Sequence, residues 1–434
     1  MKRTIFVLSV AVLFVAAISF VTANGSQEKS AGAQAGAPQT VTLNLWRAGS
    51  DAIESSYWES AIQIYEKANP NVKINLTSIP WGNALEAKLN TAYVGGTFPD
   101  LVSYSIASIA PHAAAGQYAP LDEFVKSWPG KSDLIPKILS LGNFNGHIYG
   151  IGFIPDPRVL VWRKDYFQAA GLDPNTPPSS WESLATDALK LTQKTHGATT
   201  RAGFYIDDRV DNGNAAQTWQ VFAVQNDSPI MDVSKNEALF DNPKGVEAAA
   251  YLTNLYRQGV SIHVSATVDA FSNGQAAISY DNPSAVQTLI NQNPDLKGQV
   301  GYAPPLKRVQ QSTFAGLRLM FIGSQSKYKE ADWKFIEFLL SKDETWRRYQ
   351  TLKSPIVLQS LKDQFIQADP SVNAAVYQAI LVGQGYPVVS YSFNFMELIS
   401  QALQQAYYGV KSPQRAFDDA NAEFTKQLPA WLGK

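Results

Sequence analysis

Between Val41 and Val102 the hydrophobic period of the chain switches repeatedly between two residues and about 3.6, and this alternation restricts the fold more than any other feature. Val41, Leu43 and Leu45 alternate with Thr42 and Asn44 and run into Trp46, which is the pattern of a strand. Gly49–Ser50–Asp51 then turns the chain, and Asp51 can cap the helix that follows. In that helix Ile53, Tyr57, Ala61, Ile64 and Ala68 recur at helical spacing until Asn69–Pro70 stops it. Val72, Ile74 and Leu76 alternate again, a second helix is expected over 84–93, and Gly95, Gly96 and the Phe98–Pro99–Asp100 run lead into apolar Leu101 and Val102. Strand, helix, strand, helix, strand predicts a parallel sheet with helices on its faces. Ligands of such sheets lie beyond the carboxyl ends of the strands, which here are residues 46–51, 80–81 and 103–104.

A second landmark is the stretch GHIYGIGFIPDPRVLVWRKD, Gly146 to Asp165. Two prolines fix their own φ and bias the residues before them to extended backbone, so Asp156 and Arg158 sit at a stiff joint between two strand-like pieces. That joint reads either as a hinge beside a cleft or as a kinked surface strand. Beyond it the pattern predicts helices over 181–194, 215–224, 243–258, 331–340, 396–408 and 413–428, and strands over 203–206, 276–280 and 319–322. No repeat of fixed period is present.

The N-terminus carries Lys2 and Arg3, an apolar run from Ile5 to Val21, and small residues ending at Ala23, the pattern of a secretory signal peptide over 1–23. Residues 24–40, rich in Ser, Gly, Ala and Gln, are expected to be a disordered linker. The chain has no cysteine, which excludes disulfides, a thiolate nucleophile, Cys-bound metal and a lipidated N-terminal Cys. A periplasmic location is therefore expected. Loss of Lys2 and Arg3 takes the 36 basic residues to 34 against 37 acidic, and so near-neutral a chain is a poor partner for nucleic acid or an anionic membrane. About 410 mature residues exceed one core, which predicts two lobes. The 10 Trp and 19 Tyr serve the core first, but they also suit a site that stacks on flat apolar faces and hydrogen-bonds at ring edges.

Catalytic signatures are lacking. There is no His-x-x-x-His, Ser-centred elbow or glycine-rich phosphate loop, and the four His are scattered. The acidic run DDRVDNGN from Asp207 does not have EF-hand spacing and reads as a solvated loop. A secreted polysaccharide-degrading enzyme remains an alternative, because a carboxylate pair across a glycosidic bond has no fixed sequence spacing. A passive adhesin is a third class.

Six blocks in register carry a resemblance over the whole mature chain: GGTFPDLVSY, GQYAPLDEF, the NGHIYGIGF to PPSSWESL region, FDNPKGVEAAAYLTNLYRQG, FSNGQAAISYDNP and SKYKEADWKFIEFLLSKDE. They resemble the extracellular solute-binding proteins of ABC importers, in the carbohydrate-type family 1 group that includes maltose-binding protein. The resemblance implies an α/β two-lobe periplasmic-binding-protein clamshell of type II. Each lobe would be a mixed, mostly parallel sheet flanked by helices, with three hinge crossings near 154–157, 303–306 and 353–357. It places residues 41–154 with 306–354 in an N-terminal lobe and 155–305 with 355–434 in a C-terminal lobe. The implied function is capture of a mono- or oligosaccharide for a membrane permease, by a monomer without cofactor or metal. A non-sugar solute such as glycerol phosphate is the alternative ligand.

The resemblance also places the ligand-binding residues. Trp46 and Asp51 match the first strand-end loop, Trp81 the second and Tyr104 the third, and Asp156 with Arg158 the hinge. Asp281 and Asn282 match the end of the second-lobe strand, with Ser284 where many relatives carry Trp; Trp219 is a candidate replacement platform. Arg318 lies in a TFAGLRLMF segment that has Ala315–Gly316 in place of the usual Gly-Gly. Tyr391, Asn394 and Phe395 match a late aromatic segment. Core packing competes for Trp46, Trp219 and Phe395, and Asp100 reads as a backbone-bonding structural residue.

Overall fold

The computed structural model describes residues 40–264 and 270–433. The expected signal peptide and nearly all of the expected linker lie outside the described residues. The opening alternation folds as its period requires. Strand Val41–Ala48 pairs in parallel with Val72–Ile79 along its length, Leu43 facing Ile74 and Leu45 facing Leu76, and on its other edge with Leu101–Ser105. Helices Ala52–Ala68 and Asn83–Val94 are the crossovers that parallel neighbours need. Asp100 accepts the backbone N–H of Asn44 at 2.8 Å, the structural role read from the sequence.

Strand Thr313–Ile322 then joins antiparallel to Leu101–Ser105, Gly150–Pro157 pairs antiparallel with it, and Gly383–Gln384 adds in parallel. The period marked only 319–322. The strand starts six residues earlier because Gly150–Pro157 and Gly383–Gln384, distant in sequence, supply its partners.

The second sheet has the order Val300–Ala303, Val159–Arg163, Ala276–Asp281, Ala198–Phe204, Gln193–Thr195. It is mixed, with one parallel pair, Ala276–Asp281 with Ala198–Phe204, beside three antiparallel ones. The edge pair is a hairpin turned by His196 and Gly197, a connection too short for parallel strands. The same hairpin shortens the expected 181–194 helix to Trp181–Leu191.

Arg158 alone separates the last strand residue of the first sheet, Pro157, from the first of the second, Val159. Its N–H donates to Phe314 O at 2.9 Å and its carbonyl accepts from Thr313 Oγ1 at 2.7 Å, so the joint is fastened to a neighbouring strand on both sides. The chain returns to the first sheet after Ala303, and helix Lys342–Leu352 ends at Lys353 in the left-handed region at φ 53°.

Alternation also sorts the core. Val159, Val161, Val300 and Tyr302 bury one face of the second sheet in the core shared with the first, while Leu160, Trp162, Phe204 and Ile278 bury the other. Helix Trp181–Leu191 packs on that side of the sheet, and helices Asn214–Gln225, Pro243–Arg257, Ser392–Tyr407 and Pro413–Trp431 complete the same core. The run at Asp207 is not a solvated loop. Asp208 is fully buried and accepts from Tyr256 and Tyr408 hydroxyls, each at 2.6 Å, and contacts His263 Nδ1 at 2.9 Å; Asp207 pairs with Arg209 at 2.5 Å. Three tertiary partners make burial of the Asp208 charge affordable. Among the described residues no helix is long and apolar enough to cross a membrane.

Candidate functional site

A cleft of about 520 Å³ is lined from the ends of both sheets and from the joint between them. Six of the residues expected at a ligand site line it: Asp51, Trp81, Asp156, Arg158, Asn282 and Arg318. Strand ends and helix N-termini bring them there, as an open α/β sheet requires.

Asp51 caps helix Ala52–Ala68, accepting from Glu54 N at 2.7 Å. One turn in, Glu54 Oε1 meets three donors: Trp58 Nε1 at 3.1 Å, Arg47 Nη1 at 3.2 Å and Arg318 Nη1. Burial raises the Glu54 carboxyl, but the guanidinium groups of Arg318 and Arg47 outweigh it and hold it below its ordinary value. Arg47 is fully buried behind this wall and also donates to Ser78 Oγ at 2.8 Å and Ser55 Oγ at 2.7 Å. Arg318 lies 5.1 Å from the Trp81 ring centre, and Trp81, 48% exposed, packs on Tyr104 at 5.6 Å. Gly49 permits this approach: its φ is 101°, and a Cβ there would stand 3.1 Å from the indole nitrogen.

At the joint, Arg158 Nη1 pairs with Asp156 Oδ1 at 2.6 Å and its Nη2 donates to Gln217 Oε1 at 3.3 Å. Asn282 uses its carbonyl to cap helix Pro283–Gln292, accepting from Ser284 N at 2.7 Å, and its amide nitrogen donates to Asp156. Burial opposes the charge of Arg158, yet Asp156 and Asp281 hold its pKa above the ordinary value. Phe314 lies under the guanidinium at 5.5 Å and Tyr386 packs edge-on against Phe314 at 4.9 Å.

The other expected residues lie elsewhere. Trp219 is wholly buried against Phe417 and donates to Gly245 O, and Phe395 is wholly buried against Phe240 and Phe424. Tyr391 is buried against Trp431. These three are packed between helices in the core beyond the second sheet and do not line the cleft. Tyr104 is buried one layer behind Trp81; desolvation, with the nearby Glu86 carboxylate, pushes its phenol well above the ordinary range. Trp46 is half-buried under the Lys88 ammonium at 4.4 Å, and Asn394 is exposed outside the cleft lining. Asp281 lines an adjoining chamber rather than the cleft.

Glu54, Gln217, Thr288, Phe314 and Tyr386 line the cleft without having been expected there. Only Glu54 had a local signal, three residues after a capping Asp. Among the described residues no group of three or more His, Asp or Glu is placed to hold a metal ion.

Two sheets joined through a stiff crossing, with a polar cleft at their strand ends, define the two-lobe binding-protein class. The profile of the bacterial extracellular solute-binding proteins matches residues 60–374, and the chain belongs to that family. A binding protein of Brucella abortus is 25% identical over 378 residues, covering 85% of this chain and 88% of its own. The sn-glycerol-3-phosphate-binding periplasmic protein UgpB of Salmonella paratyphi A is 23% identical, covering 83% and 87%. A solved solute-binding protein of Thermotoga lettingae bound with α-D-tagatose superposes with a TM-score of 0.79 at 22% identity, covering 89% of this chain and 99% of its own.

Proposed function

We propose that this protein is the substrate-binding component of an ABC importer and that it captures a sugar between its two lobes for delivery to a membrane permease. The observation that carries this reading is the charge pairing of the cleft: Arg318 pairs with Glu54 and Arg158 with Asp156, so the cleft offers directional hydrogen bonds and one exposed indole, and neither lining arginine is left unpaired for an anionic ligand. Carboxylates and amides fix hydroxyl positions while an indole lies against the C–H side of a pyranose. A phosphate ligand, the alternative raised by the glycerol-phosphate-binding relative, would want unpaired cations converging on it. The protein acts as a monomer in the periplasm and turns nothing over. The lobes are residues 41–154 with 306–354 and 155–305 with 355–434, hinged at Asp156 and Arg158.

The reading is tested by a thermal-shift screen of mono- and oligosaccharides, with calorimetry and product analysis on each hit, since a ligand of the native state raises its melting temperature. A one-site isotherm with intact sugar supports it. Cleaved sugar makes the protein a glycosidase, and a shift with glycerol phosphate alone replaces the ligand class.

A further inference from the structure

Beside the cleft lies a second chamber of about 130 Å³, which shares the hydrogen-bonded pair Arg158 and Gln217 with it as lining. Its other polar walls are Asp207 and Arg209 after strand Ala198–Phe204, Asn214 and Thr218 on helix Asn214–Gln225, and Ser279 and Asp281 on strand Ala276–Asp281. Apart from Val221 and the rings of Tyr205 and Tyr280 the lining is polar, so water or a hydroxylated group suits it better than an alkyl group does. Its charges are matched within the lobe, Asp207 with Arg209 at 2.5 Å and Arg158 between Asp156 and Asp281. An ionic substituent would therefore gain no unpaired countercharge.

Building on the sugar reading above, we infer that the chamber is a subsite for an uncharged hydroxylated arm of the ligand, so that the protein favours sugars bearing an exocyclic hydroxymethyl or glycol group over those that end at the ring. At about 30 Å³ for each water the space corresponds to about four waters, the scale of such an arm and not of a second ring beside them. Arg158 and Gln217 would touch both the ring and the arm, and the walls would supply donors and acceptors that a shorter sugar leaves to water.

The test uses pairs differing by the arm: D-xylose and D-glucose, D-lyxose and D-mannose, xylobiose and cellobiose, each titrated by calorimetry into the full mature protein and into Thr218→Leu and Thr218→Ser. Thr218 lines the chamber and not the cleft, and leucine fills space there while suiting the helix. In the wild type the arm-bearing member of a binding pair is expected to bind at least about tenfold tighter, the value of one well-made buried hydrogen bond. Thr218→Leu should bring the pair within about twofold, and Thr218→Ser, which keeps the hydroxyl, should retain the difference. Pairs that bind equally in the wild type, or a difference that survives Thr218→Leu in a variant with native circular dichroism, overturn the subsite while leaving the sugar reading intact. No binding by any of the six sugars, nor by the wider sugar screen, overturns both.

Discussion

At the residue scale, one buried carboxyl outside the cleft ties the stability of the fold to pH. Asp332, in the first turn of helix Lys329–Leu339, is fully buried, and burial raises its pKa to about 8 although Ser326 Oγ donates to it at 2.6 Å. Unfolded, the group titrates near 3.8, so between 3.8 and about 8 the folded state holds its proton more tightly. The contribution to stability is greatest below the unfolded value, declines as pH rises, and is fully lost above about 8. Asp332→Asn, which still accepts from Ser326, should raise the melting midpoint by roughly a few degrees at pH 8.5 and by much less at pH 5. Scanning calorimetry across that range checks it, and an equal gain at both ends contradicts the assignment. Glu54 has the opposite sign: its lowered pKa gives stability that is present above 4.5 and lost as pH falls through the folded value.

At the element scale, two helices begin with the same pair, Asn242–Pro243 and Asn282–Pro283, and in both the asparagine carbonyl takes the first two free N–H groups. Proline at the first helical position loses no hydrogen bond there. The two caps differ in their second partner, because Asn282 also donates to Asp156 while Asn242 donates to Ser228 and the Pro229 carbonyl. Asn242→Ala and Asn282→Ala should each cost about 1 kcal/mol of stability. Only Asn282→Ala should also weaken ligand binding, which melting curves with and without a sugar that stabilises the wild type will resolve. Strand Thr313–Ile322 is the other element that matters. Its Gly316 faces the joint, where a Cβ would meet Asp156 O and Oδ2, each at 3.1 Å, so the departure from Gly-Gly falls on the neighbouring Ala315 and spares this contact.

At the scale of the whole molecule, the proposed capture of one ligand between two lobes implies closure, because only a closed state would make both sets of contacts. Small-angle scattering is expected to show a smaller radius of gyration with any sugar that raises the melting temperature and no change with a sugar that does not. Contraction without thermal stabilisation would separate closure from binding. Much of this architecture was legible from residues alone. The period changes over 41–102 gave the parallel opening of the first sheet, Pro155 and Pro157 marked the crossing, and Asp51 was readable as a cap. These are local properties: φ restriction, side-chain alternation and capping act within a few residues. Which aromatics face a ligand was not local. Trp81 and Trp219 are the same side chain, yet one stands at a strand-end turn with an open face and the other inside four helices. Periodicity says which side of an element is buried but not whether core or cleft buries it. The pairing of Arg318 with Glu54 and of Asn282 with Asp156 likewise spans 264 and 126 residues, so only the tertiary arrangement of strand ends could decide which charges the cleft keeps.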